Sequence, residues 1–458
     1  MNIILLSLIM TLVMSVNACQ SPTPPEQTVP QEQTTPADLS PLKLSVPVTE
    51  DWVYSGKPSF TIHAENPNAV PVMAEAKVKI TTDAKVAVVT ITDSAEIAAN
   101  GKKDIVITTT DPLEPGIYRA TCSVNGKVAR SAFNFAVDPD KIVSAPNKQA
   151  DYDEFWQTAK DQLAAIDMGV NMIELPAKSS ATRKVYMVEL NSVPDGLTGE
   201  PVVIRGYYCE PQDGQKHPVI MHFYGYDTQH TKAKVSCPSG SSSSYAEFYL
   251  SHRGQYINNR PESSREPDGL GDLDNTYDDW FSYHFGDKDS YYYRGAYMDC
   301  VQAVRFMATR ETSDMTKLFA EGSSQGGALT YAAAALSDYP FSAIAANVAF
   351  LGDFDEAQKT GGLAVELAKD CRGSMTDEEM IVFFSYFDTK NLATRISCPV
   401  LASSGLQDNV CPPRTNIVPF NNLQTPKEDK EYIIAPEMGH DYPAGWNGKM
   451  MKLFKDKM

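Results

Sequence analysis

Apolar residues recur along the chain with two different periods, and the period changes near residue 139. From Leu42 to Val137, short runs rich in Val, Ile, Thr and Phe alternate with turn residues such as Asn100-Gly101 and Asn125-Gly126. This rhythm predicts an all-β, immunoglobulin-like sandwich of six or seven strands. The clearest predicted strands are Ser59–His63, Ala76–Thr82, Ala87–Thr92, Lys103–Thr109, Gly116–Val124 and Ala129–Val137.

Beyond residue 139, helical spacing and strand-like runs alternate. Tyr152–Ile166 repeats apolar residues three and four positions apart, which predicts a helix. The alternation that follows predicts an α/β fold, a mostly parallel sheet with helices on both faces. Strands are predicted at Pro201–Tyr208, Pro218–Phe223, Tyr245–Ser251, Lys317–Glu321, Phe341–Val348, Pro399–Ser403 and Glu431–Ala435, and further helices at Tyr291–Thr309, Gln325–Leu336 and Trp446–Phe454.

The first forty residues have the pattern of an export signal and a tether, and we do not expect them to belong to a folded domain. Ile3–Val16 is apolar but too short to span ~30 Å of hydrocarbon. It ends at Asn17-Ala18-Cys19, which resembles a bacterial lipobox, in which the cysteine is lipidated. The alternative is a plain signal peptide with an incidental cysteine, and no Lys or Arg precedes the run, as one usually does in export signals. We expect a leader at 1–19, a Pro/Gln/Thr-rich tether at 20–41, a sandwich at 42–138 and an α/β domain at 139–458, in a protein lipid-anchored to the periplasmic or surface face of a bacterial membrane.

Composition narrows the possible partners. Hydrophobic residues make up 42% and charged residues 21% of the chain, the balance of a soluble globular protein. Lys and Arg number 40 against 58 Asp and Glu, a net charge of −18, so the basic footprint of nucleic-acid binding is absent overall. Anionic membrane surfaces are disfavoured for the same reason. No Cys or Cys/His spacing is typical of zinc, so we expect no metal.

A candidate nucleophile lies between a predicted strand and a predicted helix. Residues 322–326 read Gly-Ser-Ser-Gln-Gly, a G-x-S-x-G motif with Ser324 at its centre. In a nucleophile elbow the serine occupies a strained turn, and Gly322 and Gly326 let the strand and helix approach each other. The alternative, a glycine turn without function, does not explain this placement.

The candidate base and acid follow in chain order. His440 is the one histidine after Ser324, and it follows the last predicted strand. The acid of such a triad follows a strand between the serine and the histidine, where Asp408 stands. Other acids in this interval, Asp353, Asp355 and Asp388, do not lie at such a strand exit.

Two main-chain N–H groups are candidates for an oxyanion hole. One belongs to Gln325, directly after the nucleophile, and the other to Tyr226, on the loop after the predicted strand Pro218–Phe223. His222 lies inside that strand, so we expect it to pack there rather than to act in catalysis.

Together these residues resemble the acetyl xylan esterase and cephalosporin-C deacetylase family, carbohydrate esterase family seven. The resemblance covers about Asp151 to the C-terminus. Its motifs are Gly225-Tyr226, Arg253-Gly254-Gln255, Tyr291-Tyr292-Tyr293-Arg294, Gly322-Ser323-Ser324-Gln325-Gly326-Gly327, Phe350-Leu351-Gly352-Asp353-Phe354, Ser385-Tyr386-Phe387-Asp388, Gly405-Leu406-Gln407-Asp408 with Pro412-Pro413, and His440 followed by an acid.

The resemblance implies an α/β-hydrolase fold with Ser324, Asp408 and His440 as triad and Tyr226 and Gln325 as oxyanion donors. It also implies that Arg253 and Gln255 support the loops of the site, and it suggests a homo-oligomer. The sequence departs from the family at Asp227, Tyr256 and Asp441, where Asn, Gly and Glu are usual. The predicted sandwich and lipid tether are additions to the single-domain family pattern.

The function expected from these residues is removal of acetyl groups from small acetylated carbohydrates, such as xylo-oligosaccharides, without a cofactor. One alternative is a serine peptidase or another esterase of the same fold. Such peptidases commonly carry a β-propeller, for which the N-terminal hundred residues are too few. The other alternative is a tethered, non-catalytic glycan-binding protein, which has no need of an intact set of Ser, Asp and His.

Overall fold

The computed structural model describes residues 39–194, 199–226, 235, 238, 244–254, 257 and 280–458. Leu42–Met458 form one compact unit. The predicted leader, with its lipidation residue Cys19, lies outside the described residues, as does most of the predicted tether. The predicted domain boundary at residue 138 falls inside the compact unit and stays a prediction.

Two sheets form the N-terminal sandwich, and all their strand pairs are antiparallel except the parallel pair of β2 and β8. Along the interior strand Val72–Thr82, every second residue from Ala74 to Ile80 is fully buried and those between are exposed, because successive side chains of a strand point to opposite faces. The eight strands are β1 (Lys43–Ser45), β2 (Val53–Tyr54), β3 (Ser59–Glu65), β4 (Val72–Thr82), β5 (Ala87–Ile97), β6 (Lys102–Thr108), β7 (Gly116–Val124) and β8 (Lys127–Val137). The sheet orders are β1-β3-β6 and β2-β8-β7-β4-β5. The prediction was six or seven strands, and the two shortest strands, β1 and β2, are not among the six that the sequence pattern located.

The C-terminal part is built on one nine-stranded sheet. Its strands are β9 (Asn171–Glu174), β10 (Arg183–Pro194), β11 (Pro201–Pro211), β12 (His217–Phe223), β13 (Ala246–Ser251), β14 (Ser313–Ser323), β15 (Ala343–Asn347), β16 (Val400–Gly405) and β17 (Lys430–Ala435). The order is β17-β16-β15-β14-β12-β13-β11-β10-β9, with parallel pairing from β17 to β13 and antiparallel pairing from β13 to β9. The sheet is therefore mostly parallel, as predicted.

Helices cover both faces of this sheet. The helices are α1 (Tyr152–Ala165), α2 (Tyr292–Ala308), α3 (Gln325–Leu336), α4 (Phe354–Thr360), α5 (Leu363–Cys371), α6 (Asp377–Phe384), α7 (Thr389–Ala393), α8 (Pro413–Asn422) and α9 (Trp446–Asp456). On β12, Val219 and Met221 pack into the core that contains α2 and α3, whereas Ile220 between them packs with Trp446 and Phe454 of α9. This alternation explains why the central strands are apolar on both sides.

The sandwich and the nine-stranded sheet share a hydrophobic cluster. Leu406, which follows β16, and Ile417 and Val418 on α8 are buried among the apolar residues of the sandwich. The sandwich therefore packs against the carboxyl end of β16, where the predicted acid Asp408 also lies.

Of the six cysteines that the structure describes, four are buried: Cys122, Cys209, Cys300 and Cys411. Within the described part of the chain, no helix has both the length and the apolar character required to cross a membrane.

Candidate active site

Ser324 occupies a strained turn between β14 and α3. Its φ and ψ are 60° and −124°, in a region that non-glycine residues seldom adopt. Its N–H donates to the main-chain O of Asn347 at 3.0 Å, and its main-chain O accepts from Phe350 at 3.0 Å. These bonds to residues at and beyond the end of β15 hold the turn, as a nucleophile elbow requires.

Two glycines make this turn possible. Gly322 and Gly326 lie where β12, β14 and α3 meet, and an ideal Cβ on Gly326 would lie 2.2 Å from the main-chain O of Phe223. An alanine there would overlap the backbone of β12. The sequence prediction that these glycines support the site agrees with this close approach.

His440 meets the serine from the loop after β17. Its Nε2 lies 2.9 Å from Oγ of Ser324, and its Nδ1 lies 2.8 Å from Oδ2 of Asp408. An ionised carboxylate only accepts hydrogen bonds, so Nδ1 donates to Asp408 and Nε2 is left to accept from the serine hydroxyl. The imidazole side chain is one quarter exposed, so it is reachable from solvent.

Asp408 is placed by the turn after β16. Its side chain is fully buried, and its Oδ1 accepts from the N–H groups of Val410 at 2.8 Å and Cys411 at 2.9 Å. One carboxylate oxygen is thus held by the backbone while the other faces His440. The structure brings the three predicted triad residues together in one chain of hydrogen bonds.

The three rival acids belong to a different cluster. Nζ of Lys390 lies 3.1 Å from Oδ1 of Asp353 and 2.6 Å from Oδ1 of Asp355. Arg414 pairs with Asp353 at 2.8 Å, and Asp388 accepts from the N–H groups of Asp353 and Phe354. This buried ionic network orders the segments between β15 and α8, and none of the three acids has a hydrogen bond to His440.

The predicted oxyanion donors flank the nucleophile. Gln325 is the first residue of α3, where main-chain N–H groups have no partner within the helix. On the other side, an ideal Cβ on Gly225 would lie 3.7 Å from Cβ of Ser324, so the loop that carries Tyr226 passes directly beside the serine. The hydroxyl of Tyr226 accepts from the N–H of Phe281 at 3.4 Å.

Arg253 is part of a buried ion pair. Its Nη2 lies 2.7 Å from Oδ1 of Asp299 and its Nε 2.9 Å from Oδ2, and Nη2 also donates to the main-chain O of Val193 at 3.0 Å. Gly295 on α2 is required beside it, since a Cβ there would lie 2.0 Å from Nη1 of Arg253. Gln255, predicted with Arg253 as a support of the site, lies outside the described residues.

Asn347 is a site residue that the sequence prediction missed. Its Nδ2 donates to Oγ of Ser323 at 2.7 Å and to the main-chain O of Asp441 at 3.1 Å, and its Oδ1 accepts from Ser403. It therefore links the strand ends that carry the serine and the acid to the loop that carries the base. The sequence does contain one indication of this role, because Asn347 is a polar residue at the end of the otherwise apolar strand Ala343–Asn347.

Two histidines lie near the site: His252 is fully buried, and the side chain of His222 is 13% exposed. His222 donates from Nδ1 to Glu321 at 2.8 Å and stacks on Tyr249. Burial opposes its charge, but the hydrogen bonds and charges of Glu247 and Glu321 raise its pKa to about 9. His222 thus packs inside β12, as predicted. Burial lowers the pKa of His252 to about 4, so that side chain is neutral at pH 7.

Among the described residues, no group of three or more His, Cys, Asp and Glu side chains is arranged to hold a metal ion.

Several known proteins that are similar to this chain are esterases. A family model described as acetyl xylan esterase (AXE1) matches residues 140–457. Acetyl esterase Axe7A of Xylanibacter ruminicola is 25% identical over 406 residues, which is 87% of this chain and 87% of that protein. The likeness to Axe7A is therefore longer than the family match.

Solved structures resemble the C-terminal part. The acetyl xylan esterase from Paenibacillus sp. R4 has a TM-score of 0.58 at 24% identity, covering 70% of this chain and 98% of its own. Acetyl xylan esterase 1 from Thermoanaerobacterium sp. JW/SL YS485 has a TM-score of 0.57 at 23% identity, covering 70% and 97%. Both show the α/β-hydrolase fold for this chain, which has a further N-terminal region beyond them.

Proposed function

This chain belongs to the acetyl xylan esterase family and is a carboxylic ester hydrolase that acts on acetylated carbohydrates, and we propose that Ser324, His440 and Asp408 carry out its reaction. The observation that supports these roles is the continuous chain of contacts from Asp408 through His440 to Ser324, at 2.8 and 2.9 Å. Separations of 2.6–3.2 Å suit proton transfer between a nucleophile and its base.

In the first half of the reaction, Nε2 of His440 takes the proton of Ser324 as Oγ attacks the acetyl carbonyl carbon. The carbonyl oxygen becomes an anion, which the N–H groups of Gln325 and Tyr226 stabilise. The bond to the sugar oxygen then breaks, and that oxygen takes the proton from His440. The products are a free sugar hydroxyl and an acetyl ester on Ser324.

In the second half, water replaces the sugar. His440 removes a proton from water, the hydroxide adds to the acetyl carbon, and the bond to Oγ breaks with return of the proton to Ser324. Acetate leaves. Asp408 keeps Nδ1 of His440 protonated and stabilises the imidazolium in both halves without taking a proton itself.

For the natural substrate we propose short acetylated xylo-oligosaccharides. Support for the xylan backbone comes from the match to the acetyl xylan esterase family. The likeness to acetyl esterase Axe7A, which extends over 87% of each chain, supports an acetyl ester as the bond that is cleaved. The net charge of −18 does not oppose a neutral glycan. Acetate release from acetylated xylan, acetylated xylo-oligosaccharides and cephalosporin C tests this, and a preference for cephalosporin C over both glycans would contradict it.

The reaction class is tested by comparing p-nitrophenyl acetate with a peptidyl p-nitroanilide as substrates. We expect turnover of the acetate and none of the anilide. Preference for the anilide would indicate a peptidase. Absence of turnover on all ester substrates would indicate a glycan-binding protein without catalysis.

We also propose that the protein is exported and lipid-anchored through Cys19. The apolar run Ile3–Val16 before Cys19 and the Pro-rich stretch after it support this proposal. In bacteria fed a radiolabelled fatty acid, the wild-type protein should be labelled and fractionate with membranes. Cys19→Ser should carry no label, and equal labelling of both proteins would contradict the proposal.

A further inference from the structure

The sandwich contacts the loop of the catalytic acid through one residue, Asn134 on β8. The main-chain N–H of Asn134 donates to Oε1 of Gln407 at 2.9 Å, and its main-chain O accepts from Nε2 of Gln407 at 3.0 Å. Its side-chain Nδ2 donates to the main-chain O of Leu406 at 2.7 Å. Three hydrogen bonds thus join a sandwich residue to the two residues that precede Asp408.

The edge of β8 explains why Gln407 fits there. Strand β2 pairs with β8 only at Ala136 and Val137, so none of the described strands pairs with the backbone of Asn134 on that side. The carboxamide of Gln407 has one acceptor and one donor group, as a peptide unit has, and it pairs with Asn134 as a neighbouring strand would. Gln407 is therefore held from outside the catalytic domain in a fixed orientation.

Gln407 also reaches the loop that carries the base. Its Nε2 donates to the main-chain O of Pro436 at 2.7 Å, and its main-chain N–H donates to the main-chain O of Met438 at 3.0 Å. The two loops approach closely, since a Cβ on Gly405 would lie 2.2 Å from the O of Met438. One side chain thus spans the sandwich, the acid loop and the base loop.

A second contact reinforces the same arrangement. Nη1 of Arg130, also on β8, lies 3.1 Å from Oε1 of Glu437, three residues before His440. The guanidinium of Arg130 rests 4.4 Å from the ring centroid of Trp52, which is fully buried in the sandwich. The sandwich therefore bonds to both loops of the triad, and among the described residues its hydrogen bonds and ion pairs do not involve the side chains of Ser324 and His440.

We propose that the sandwich is a positioning element for the triad, in which Asn134 acts through Leu406 and Gln407 to set the separation of Asp408 and His440. This inference rests on the proposed roles of those two residues. Displacements of about 1 Å at a catalytic group can lower a rate about 100-fold. The effect of losing these contacts should appear in kcat, because no sandwich residue named here is placed on the substrate.

The test uses the full-length protein and a matched control. Gln407→Ala removes the bridging amide, and Asn134→Ala removes only the bond to Leu406. Asn421→Ala is the control, because Nδ2 of Asn421 also makes two bonds between α8 and the segment after the sandwich, to the main-chain O of Pro139 at 2.9 Å and of Ile142 at 2.7 Å. These two bonds are not made to either triad loop.

Each variant is assayed for kcat and KM on p-nitrophenyl acetate well below its unfolding midpoint, and for the labelling rate of Ser324 by a fluorophosphonate. We expect Gln407→Ala to lower kcat and the labelling rate by about 10- to 100-fold with little change in KM. Asn134→Ala should show a smaller loss in both rates, and Asn421→Ala should keep both despite a lower midpoint.

Unchanged kcat in Gln407→Ala and Asn134→Ala would overturn the inference, as would an equal loss in Asn421→Ala, which would indicate general loosening of the interface. If Gln407→Ala does not fold, the test is the comparison of Asn134→Ala with Asn421→Ala: the inference requires a lower kcat in Asn134→Ala and fails if the two variants have equal kcat. The proposed function is judged separately by the wild-type protein: without wild-type turnover the function fails, whereas wild-type turnover with unaffected variants refutes only the positioning role.

Discussion

An ideal Cβ on Gly322 would lie 2.3 Å from the main-chain O of Gly326. The two glycines of the G-x-S-x-G motif are thus in contact with each other across Ser324, and β14 and α3 approach more closely than side chains allow. Residues without a side chain are therefore needed at both glycine positions for Ser324 to occupy its place. The same close packing holds the φ of Ser324 at 60°.

We therefore expect Gly322→Ala and Gly326→Ala to lower kcat/KM at least about 100-fold, because relieving the overlap displaces Ser324. Gly448→Ala on α9 is the control, since a Cβ there meets nothing within 4 Å. Its activity should equal that of the wild type and its unfolding midpoint should rise slightly, since alanine favours helix over glycine. Full activity in the two motif variants would contradict the steric argument.

Asp408→Asn should lower kcat about 10⁴-fold while the protein stays folded, since the amide no longer stabilises the protonated imidazole. Asp355→Asn removes a rival acid from the Lys390 network. That variant should have a lower unfolding midpoint and a kcat close to that of the wild type. The reverse result, loss of activity in Asp355→Asn and not in Asp408→Asn, would show that the acid has been assigned wrongly.

The buried pair of Arg253 and Asp299 should be costly to break. Both side chains are almost fully buried, so Asp299→Asn removes a buried negative charge that lies directly against the guanidinium. We expect the free energy of unfolding in urea to fall by about 3–5 kcal/mol. Glu431→Gln, which breaks the exposed pair with Lys449, should change it by less than about 1 kcal/mol. Similar losses in both variants would contradict this difference.

The raised pKa of His222 leads us to expect that the folded protein becomes less stable as the pH rises from 6.5 to about 9. Its folded-state pKa of about 9 exceeds the ordinary value of 6.5, so the folded protein keeps a proton that the unfolded chain releases. The stabilisation is complete below about pH 6.5 and is lost as the pH rises toward 9, at most about 3 kcal/mol. Thermal midpoints measured from pH 6.5 to 9.5 should fall in the wild type and much less in His222→Gln. An equal slope in both would exclude His222 as the cause.

The sequence predicted best those helices and strands whose apolar pattern is continuous along a single stretch of chain. The central strands and the long helices were predicted because their apolar residues recur without a break in the pattern, as in the middle of β14 and in α3. Strand β10 was missed because Glu189 and Ser192 interrupt its apolar pattern, and their partners, Arg205 and Asp299, lie elsewhere in the chain. The segment from α4 to α7 was missed because its helices are only five to nine residues long.

The same reasoning applies to the candidate site. Ser324, Asp408 and His440 were predicted from their order in the chain and from their places at strand ends, which a sequence shows directly. Asn347 and Asn134 act through hydrogen bonds to loops that are distant in sequence, and a single asparagine in a strand carries no mark of such partners. Contacts of this kind become visible only when the sheet and the sandwich are assembled.

The most direct test of the proposed mechanism is to find the acetyl group on the enzyme. Wild-type protein is mixed with p-nitrophenyl acetate, quenched in acid within the first turnover, digested and examined by mass spectrometry. We expect one acetyl group on the peptide that contains Ser324, a smaller amount after longer incubation, and none in Ser324→Ala, whose acetate release should fall by about 10⁴-fold or more. Wild-type turnover without this adduct, or undiminished acetate release by Ser324→Ala, would contradict the mechanism.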